Sequence, residues 1–168
     1  MNSKICLLVY GLPAVGKTSV AAKLLKRREF EFIPIDRFWA NCYENPQYTK
    51  EESIVVFKKF INEVEEKMKS NKKILLEGVF ASSNRLVKIE KTSKMYNYNN
   101  FRVLLKANKE VLKKRIKKRD KSKEISENDM ERLMGKMNSE EMACVSINTA
   151  SKSIVEATDI ICKHLKYK

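Results

Sequence analysis

The sequence predicts an α/β protein, a parallel sheet covered on both faces by helices. Three observations carry that expectation. Apolar runs of strand length alternate with amphipathic helical stretches five times along 168 residues, a pattern that builds parallel strands joined by crossover helices. The first run, Ile5 to Tyr10, is unbroken, as a strand buried on both faces requires. Directly after it, Gly11-Leu12-Pro13-Ala14-Val15-Gly16-Lys17-Thr18 fits G-x-x-x-x-G-K-[ST], the pattern of a phosphate-binding P-loop, and an amphipathic helix follows. One domain, residues 1–168, with no repeat and no linker, is the expected organisation.

In chain order, the helix after the loop runs to about residue 28. Phe30 to Ile35 reads as the second strand, and Pro34, which has no N–H to give a neighbour, puts it at the sheet edge. Residues 40–48, polar with aromatics and a proline, read as a loop. Thr49-x-x-Glu52 is a capping box opening a helix to about residue 70. Its apolar residues Val56, Phe57, Phe60, Ile61, Val64 and Met68 keep the helical period. Ile74-Leu75-Leu76 is a short third strand ending at Glu77-Gly78, and a helix covers about 83–95. After Asn97 to Asn100, the fourth strand is Phe101 to Leu105, and a helix runs from Asn108 to about Arg119. A polar hinge, Asp120 to Glu124, leads to a short helix from Ser126 to about Met137, with Met130, Leu133, Met134 and Met137 on one face. Residues 115–137 together read as a short helical lid. Cys144 to Asn148 is the fifth strand and about 152–166 the closing helix.

The loop's chemistry follows from its shape. Bent by glycines, consecutive backbone N–H groups and a helix N-terminus present fixed positive dipoles to a polyphosphate. Lys17 supplies a point charge for the β- and γ-phosphates and Thr18 a hydroxyl ligand for Mg²⁺, with Ser19 next in the same turn. Ligands of open parallel sheets bind beyond the carboxyl ends of the strands. Asp36, after the second strand, and Glu77, ending the third, therefore face the phosphates. Asp36 either accepts the proton of an attacking hydroxyl or caps a helix. Glu77 either holds the Mg²⁺ water shell or faces a turn, and Gly78 permits close approach of backbone to ligand. Arg37 and Trp39 follow Asp36; Trp39, with Phe38, floors an acceptor pocket or is an ordinary edge aromatic. Asn84 and Arg85, past the third strand, are further acceptor-contact candidates.

In the helix from Asn108, at about 100° per residue, Arg115 and Arg119 lie roughly 40° apart on the side of Val111, Leu112 and Ile116. Lys113, Lys114, Lys117 and Lys118 take the opposite arc. Inward arginines need an anionic partner. That partner is an internal carboxylate, or a transferring phosphoryl group whose charge the pair stabilises.

Bulk properties exclude some classes. No 18-residue apolar stretch exists to span a membrane. Met1-Asn2-Ser3-Lys4 runs straight into the first strand, so no signal peptide is expected. Cys6, Cys42, Cys144 and Cys162 lack C-x-x-C spacing and read as reduced, buried cysteines of a cytoplasmic protein. The net charge of +14 suits a nucleic-acid partner. It equally suits the bias of an AT-rich genome, because 27 Lys outnumber 8 Arg.

These residues together resemble the small, AAA-type ATP-binding P-loop kinases of the polynucleotide kinase and chloramphenicol phosphotransferase type. Gluconate and adenylylsulfate kinases are more distantly similar. The resemblance rests on the P-loop, Asp36, Glu77, Arg115-x-x-x-Arg119, and Ile147-Asn148-Thr149-Ala150-Ser151 before the last helix, and so covers nearly the whole chain. It implies a P-loop NTPase three-layer α/β/α sandwich with a five-stranded parallel sheet of order 2-3-1-4-5, whose edge strand agrees with Pro34. It implies an ATP- and Mg²⁺-dependent kinase with Asp36 as general base, and Thr149 and Ser151 bordering the adenine. Glu77 stands where many relatives carry aspartate, and Ala14-Val15 where many carry Gly-Ser or Ser-Gly. The expected acceptor is a nucleic-acid 5′-hydroxyl. The alternatives are a small metabolite, antibiotic or nucleotide sugar, or a non-catalytic nucleotide binder. A GTPase is disfavoured, because Ala107-Asn108-Lys109-Glu110 offers its acid one position too early for N-K-x-D.

Overall fold

The computed structural model describes residues 4–118, 127–136 and 140–166. Five strands, β1 (Ile5–Gly11), β2 (Glu31–Pro34), β3 (Ile74–Gly78), β4 (Asn99–Lys106) and β5 (Val145–Asn148), form one sheet of order β2-β3-β1-β4-β5. Every pairing is parallel. Fold class and strand order are those expected, with the proline-bearing β2 at the edge. The helices are α1 (Lys17–Leu25), α2 (Ile35–Cys42), α3 (Lys50–Lys69), α4 (Ser83–Met95), α5 (Lys109–Lys117), α6 (Glu127–Lys136) and α7 (Ile154–Lys166).

Alternation along β1 builds two cores. Ile5, Leu7 and Val9 face α1, α5, α6 and α7, packing with Val20, Leu24, Leu112, Met130 and Ile161. Cys6, Leu8 and Tyr10 face α2, α3 and α4, packing with Phe38, Phe60, Val64, Leu86 and Ile89. A strand's side chains point alternately to opposite faces, so a run that is apolar at every position is the signature of a central strand covered twice.

Helix starts follow local chemistry. In α3, the Glu52 N–H donates to Thr49 Oγ1 and the Thr49 N–H to the Glu52 carboxylate, each at 3.2 Å. In α5 the Val111 N–H donates to Asn108 Oδ1 at 2.9 Å. No side chain caps α1, whose N-cap is Gly16.

The structure corrects three readings. Ile35 is the first residue of a helix rather than the last of β2, and α2 takes in residues 40–42, which had read as loop. Its buried Ile35 and Phe38 lie one helical turn apart, and Pro34 at the N-cap needs no N–H there. The burial expected of the four free cysteines holds for Cys6 alone: Cys42 and Cys162 are half-buried and Cys144 is exposed. Of the expected lid, α6 docks through buried Met130 and is tied to α5 by a Lys109–Glu131 ion pair of 2.6 Å. Arg119, the hinge and Met137 lie outside the described residues. Among the described residues no helix is long and apolar enough to cross a membrane.

Candidate active site

The P-loop turns back on itself through three left-handed residues: Gly11 (φ 150°), Ala14 (φ 63°) and Gly16 (φ 99°). A Cβ on Gly11 would overlap the Leu105 carbonyl of β4, so this glycine lets the loop leave β1 against its neighbour. Ala14 holds a conformation that favours glycine and costs a side-chain-bearing residue about 1–2 kcal/mol. Lys17 is buried, and its Nζ donates to the Leu12 carbonyl at 3.0 Å. Thr18 and Ser19, one turn into α1, are exposed. An uncapped helix leaves its first N–H groups without intrahelical partners. The chain therefore offers a glycine-bent turn that opens onto a helix N-terminus, the kind of site phosphate requires.

Two carboxylates share this edge of the sheet. The register Pro34↔Glu77 and Val9↔Glu77 sets the carboxyl ends of β2, β3 and β1 level. At the usual strand spacing, β2 stands about 10 Å from β1. Glu77, at 3% exposure, is buried between them. Asp36 is exposed in the first turn of α2. Gly78, expected to admit a ligand, instead admits Ile35, whose side chain fills the space a Cβ would take. Close seating of α2 on β3 follows, and it sets the position of Asp36. The Thr18 hydroxyl and the Glu77 carboxylate are hard oxygen donors. That donor set suits Mg²⁺.

Beyond Asp36 the aromatic rings gather. Trp39, half-buried, lies 4.8 Å from Tyr48 and 6.3 Å from Tyr43 between ring centroids. Burial, then the charges of Asp36 and Glu52, push the Tyr48 phenol above its usual pKa, which puts the phenol within electrostatic reach of both carboxylates. Sequence reasoning missed both tyrosines. Tyr43 could have been found as the i+4 neighbour of Trp39, whereas Tyr48 leaves no local signal. Arg37 and Arg85 turn to α3. Arg37 pairs with Glu63 and lies over the Phe38 ring, while Arg85 donates to the Ser53 hydroxyl and carbonyl and lies 5.0 Å from the Phe57 ring. Burial lowers the pKa of Arg85, which lines a groove of about 430 Å³ with Ile54, Phe57, Ile61 and Lys88. Asn84 is exposed in the first turn of α4.

On the other flank, Arg115 donates to Thr149 Oγ1 at 2.9 Å, to the Thr149 carbonyl at 2.6 Å and to the Ala14 carbonyl at 3.5 Å. The buried Thr149 hydroxyl donates in turn to the Val15 carbonyl at 2.9 Å. Among the described residues the acceptors of this inward arginine are neutral oxygens, so the internal carboxylate offered as its partner is not there. α5, the P-loop and the turn before α7 are braced together. Ser151, exposed in that turn, donates to the Asn148 carbonyl at 3.3 Å.

A family model described as an AAA domain matches residues 7–135. No curated protein matches the chain. Among solved structures, it is similar to a sugar kinase from Janibacter sp. HTCC2649, with a TM-score of 0.77, 13% identity, and coverage of 97% of this chain and 95% of that one. It is similar to shikimate kinase from Aquifex aeolicus VF5, with a TM-score of 0.70, 14% identity and 96% of each chain covered. It is also similar to a chain of the Pnkp1/Rnl/Hen1 RNA repair complex, with a TM-score of 0.71 and 16% identity over 84% of this chain and 47% of that one. At such identities the likeness is one of fold.

Proposed function

We infer that this chain, which belongs to the AAA domain family, is an ATP- and Mg²⁺-dependent kinase that moves the γ-phosphoryl group of ATP onto a hydroxyl. One observation carries the reading. The glycine-bent loop, the buried Glu77 and the exposed Asp36 stand level at the carboxyl edge of three adjacent strands. The family match and the kinases among the structures of similar fold support it.

In this reading Gly11 to Ser19 receive the phosphates on backbone N–H groups, and Lys17 exchanges the Leu12 carbonyl for phosphate oxygens. Thr18 and Glu77 would hold Mg²⁺, which would supply positive charge to offset that of the phosphates. Asp36 takes the acceptor's hydroxyl proton as that oxygen bonds to the γ-phosphorus. The bond from that phosphorus to the β,γ-bridging oxygen breaks, and ADP leaves. Arg115 braces the loop, and Arg119, four residues on, stabilises charge on the phosphoryl group. Thr149 and Ser151 border the base of the nucleotide. The free cysteines suit a reducing, cytoplasmic compartment. A nucleic-acid 5′-hydroxyl as acceptor draws on the net charge of +14 and on the likeness to an RNA repair chain. A small-molecule alcohol draws on the sugar and shikimate kinases.

Labelled ATP offered with a panel of 5′-hydroxyl oligonucleotides, nucleosides, sugar acids and aromatic alcohols tests the reading. Transfer to none by a protein that binds ATP normally would sink it. Asp36→Asn should keep ATP affinity and lose about 10²- to 10⁴-fold in turnover; near-normal turnover removes Asp36 as the base.

A further inference from the structure

We propose that the acceptor is a small alcohol bearing a flat ring and no negative charge, its ring against the Trp39–Tyr48 pair and its hydroxyl at Asp36. The proposal rests on the kinase reading above and names the substrate class of that same site.

Three observations carry it. The first is the aromatic wall. Tyr48 is 57% exposed, yet it lies 4.8 Å from Trp39 with its backbone at φ 54°. Asparagine often tolerates the left-handed region, as Asn71 and Asn97 do here, but for a bulky residue it is an outlier. The chain thus holds an exposed ring beside a reactive carboxylate at a backbone cost, and strain of this kind concentrates at ligand clamps. Trp39 brings the second ring from one turn past Asp36.

The second is local charge. The chain carries +14, but residues 36–52 hold four acids (Asp36, Glu44, Glu51, Glu52) against two bases (Arg37, Lys50), a net of −2. The segment itself is therefore acidic, which disfavours the phosphates of a nucleic acid or the carboxylate of a sugar acid against it.

The third is the state of the nearby arginines. A forked guanidinium contact is a common means of recognising an anionic acceptor. Arg37 is paired with Glu63, and Arg85 is held by Ser53 and Phe57 on α3. The segment that bears Asp36 is thus acidic and carries a pair of rings. Such a surface takes a planar ring by stacking, neutral or with a positive charge. During transfer the acceptor oxygen bonds to the γ-phosphorus of ATP, the proton goes to Asp36, and ADP departs with the bridging oxygen.

Trp39 is the only tryptophan, so its emission reports on the wall without any turnover. The full chain is titrated with a nucleoside, a phenyl-bearing amino alcohol, gluconate and a 5′-hydroxyl oligonucleotide, and each is offered with labelled ATP. The two ring-bearing alcohols should quench Trp39 and accept phosphate. Tyr48→Ala should raise their KM about tenfold and leave ATP affinity as it was, and Tyr48→Phe should restore KM. Preferred transfer to gluconate or the oligonucleotide, or ring-bearing alcohols that leave Trp39 emission and the KM of the Tyr48→Ala variant unchanged, overturns the proposal while the kinase reading stands. Transfer to no member of the panel overturns both.

Discussion

Arg115→Ala tests whether the arginine of α5 is a brace. Two of its hydrogen bonds, at 2.9 and 2.6 Å to Thr149, have full strength, whereas the contact to Ala14 at 3.5 Å is too long to count. Hydrogen bonds from a charged donor contribute about 1.5–3 kcal/mol each. Because these are only partly buried, the lower figure applies, and the loss is about 3 kcal/mol. For a chain of this size each kcal/mol lowers Tm by about 2–4 °C, so the ligand-free protein should melt about 6–12 °C lower. Thr149→Val removes the hydroxyl that links Arg115 to the Val15 carbonyl and should cost about 1–2 kcal/mol. The double variant should cost less than the two losses added, with a coupling of about 1 kcal/mol. Melting curves without nucleotide and urea titrations measure these quantities, and calorimetry should show weaker ATP binding as the loop slackens around Val15. Melting within 2 °C of the parent together with a large fall in kcat would refute the brace and leave Arg115 acting on the phosphoryl group alone.

Two further substitutions probe what positions the site and what holds the scaffold. Gly78→Ala forces a methyl into the Ile35 side chain and near the Phe80 ring, which should cost about 1–3 kcal/mol. It should also lower kcat more than ATP affinity, because Ile35 precedes Asp36; thermal melts and steady-state kinetics read both. Lys94 and Arg102 hold the Glu90 carboxyl below its ordinary 4.5, the Arg102 bond being 2.5 Å long. A carboxyl lowered by folding stabilises the fold above the unfolded pKa and loses that contribution as pH falls through the folded value. Glu90→Gln should therefore cost about 2 kcal/mol at pH 7, much of it from leaving Arg102 half-buried without its partner. Urea midpoints of parent and variant should converge below about pH 4.

Much of the architecture was legible because each feature had a short-range cause. The Ile5–Tyr10 run, the Thr49-x-x-Glu52 box and the missing N–H of Pro34 act within a few residues, and the structure realises them as a central strand, a capped helix and a sheet edge. The α2 helix was hidden because its apolar period repeats only once, from Ile35 to Phe38, which is too few turns to tell from the end of a strand. The site was legible where one motif supplies all its parts, as in Gly11 to Thr18. It was not legible where partners come from distant strands. An inward arginine announced a partner, but the hydroxyl and carbonyl of Thr149, 34 residues away, accept from it, and no spacing rule encodes such acceptors. Gly78 was read for a ligand because the neighbour filling its space, Ile35, arrives only through the β2–β3 pairing.

The strand order has a consequence for how such a protein changes over time. Between β2, which leads into Asp36 and the aromatic wall, and β4, which leads into Arg115, stand β3 and β1. Replacements on one wing stand about three strand spacings, roughly 14 Å, from those on the other, so their effects on stability should add. A lineage can then revise residues 35–48 without retuning the brace behind the Gly11–Thr18 loop. It can also tune the brace without disturbing that segment. Sheets divided in this way let one phosphate machine be inherited by many chemistries, with the choice among them written at a single edge.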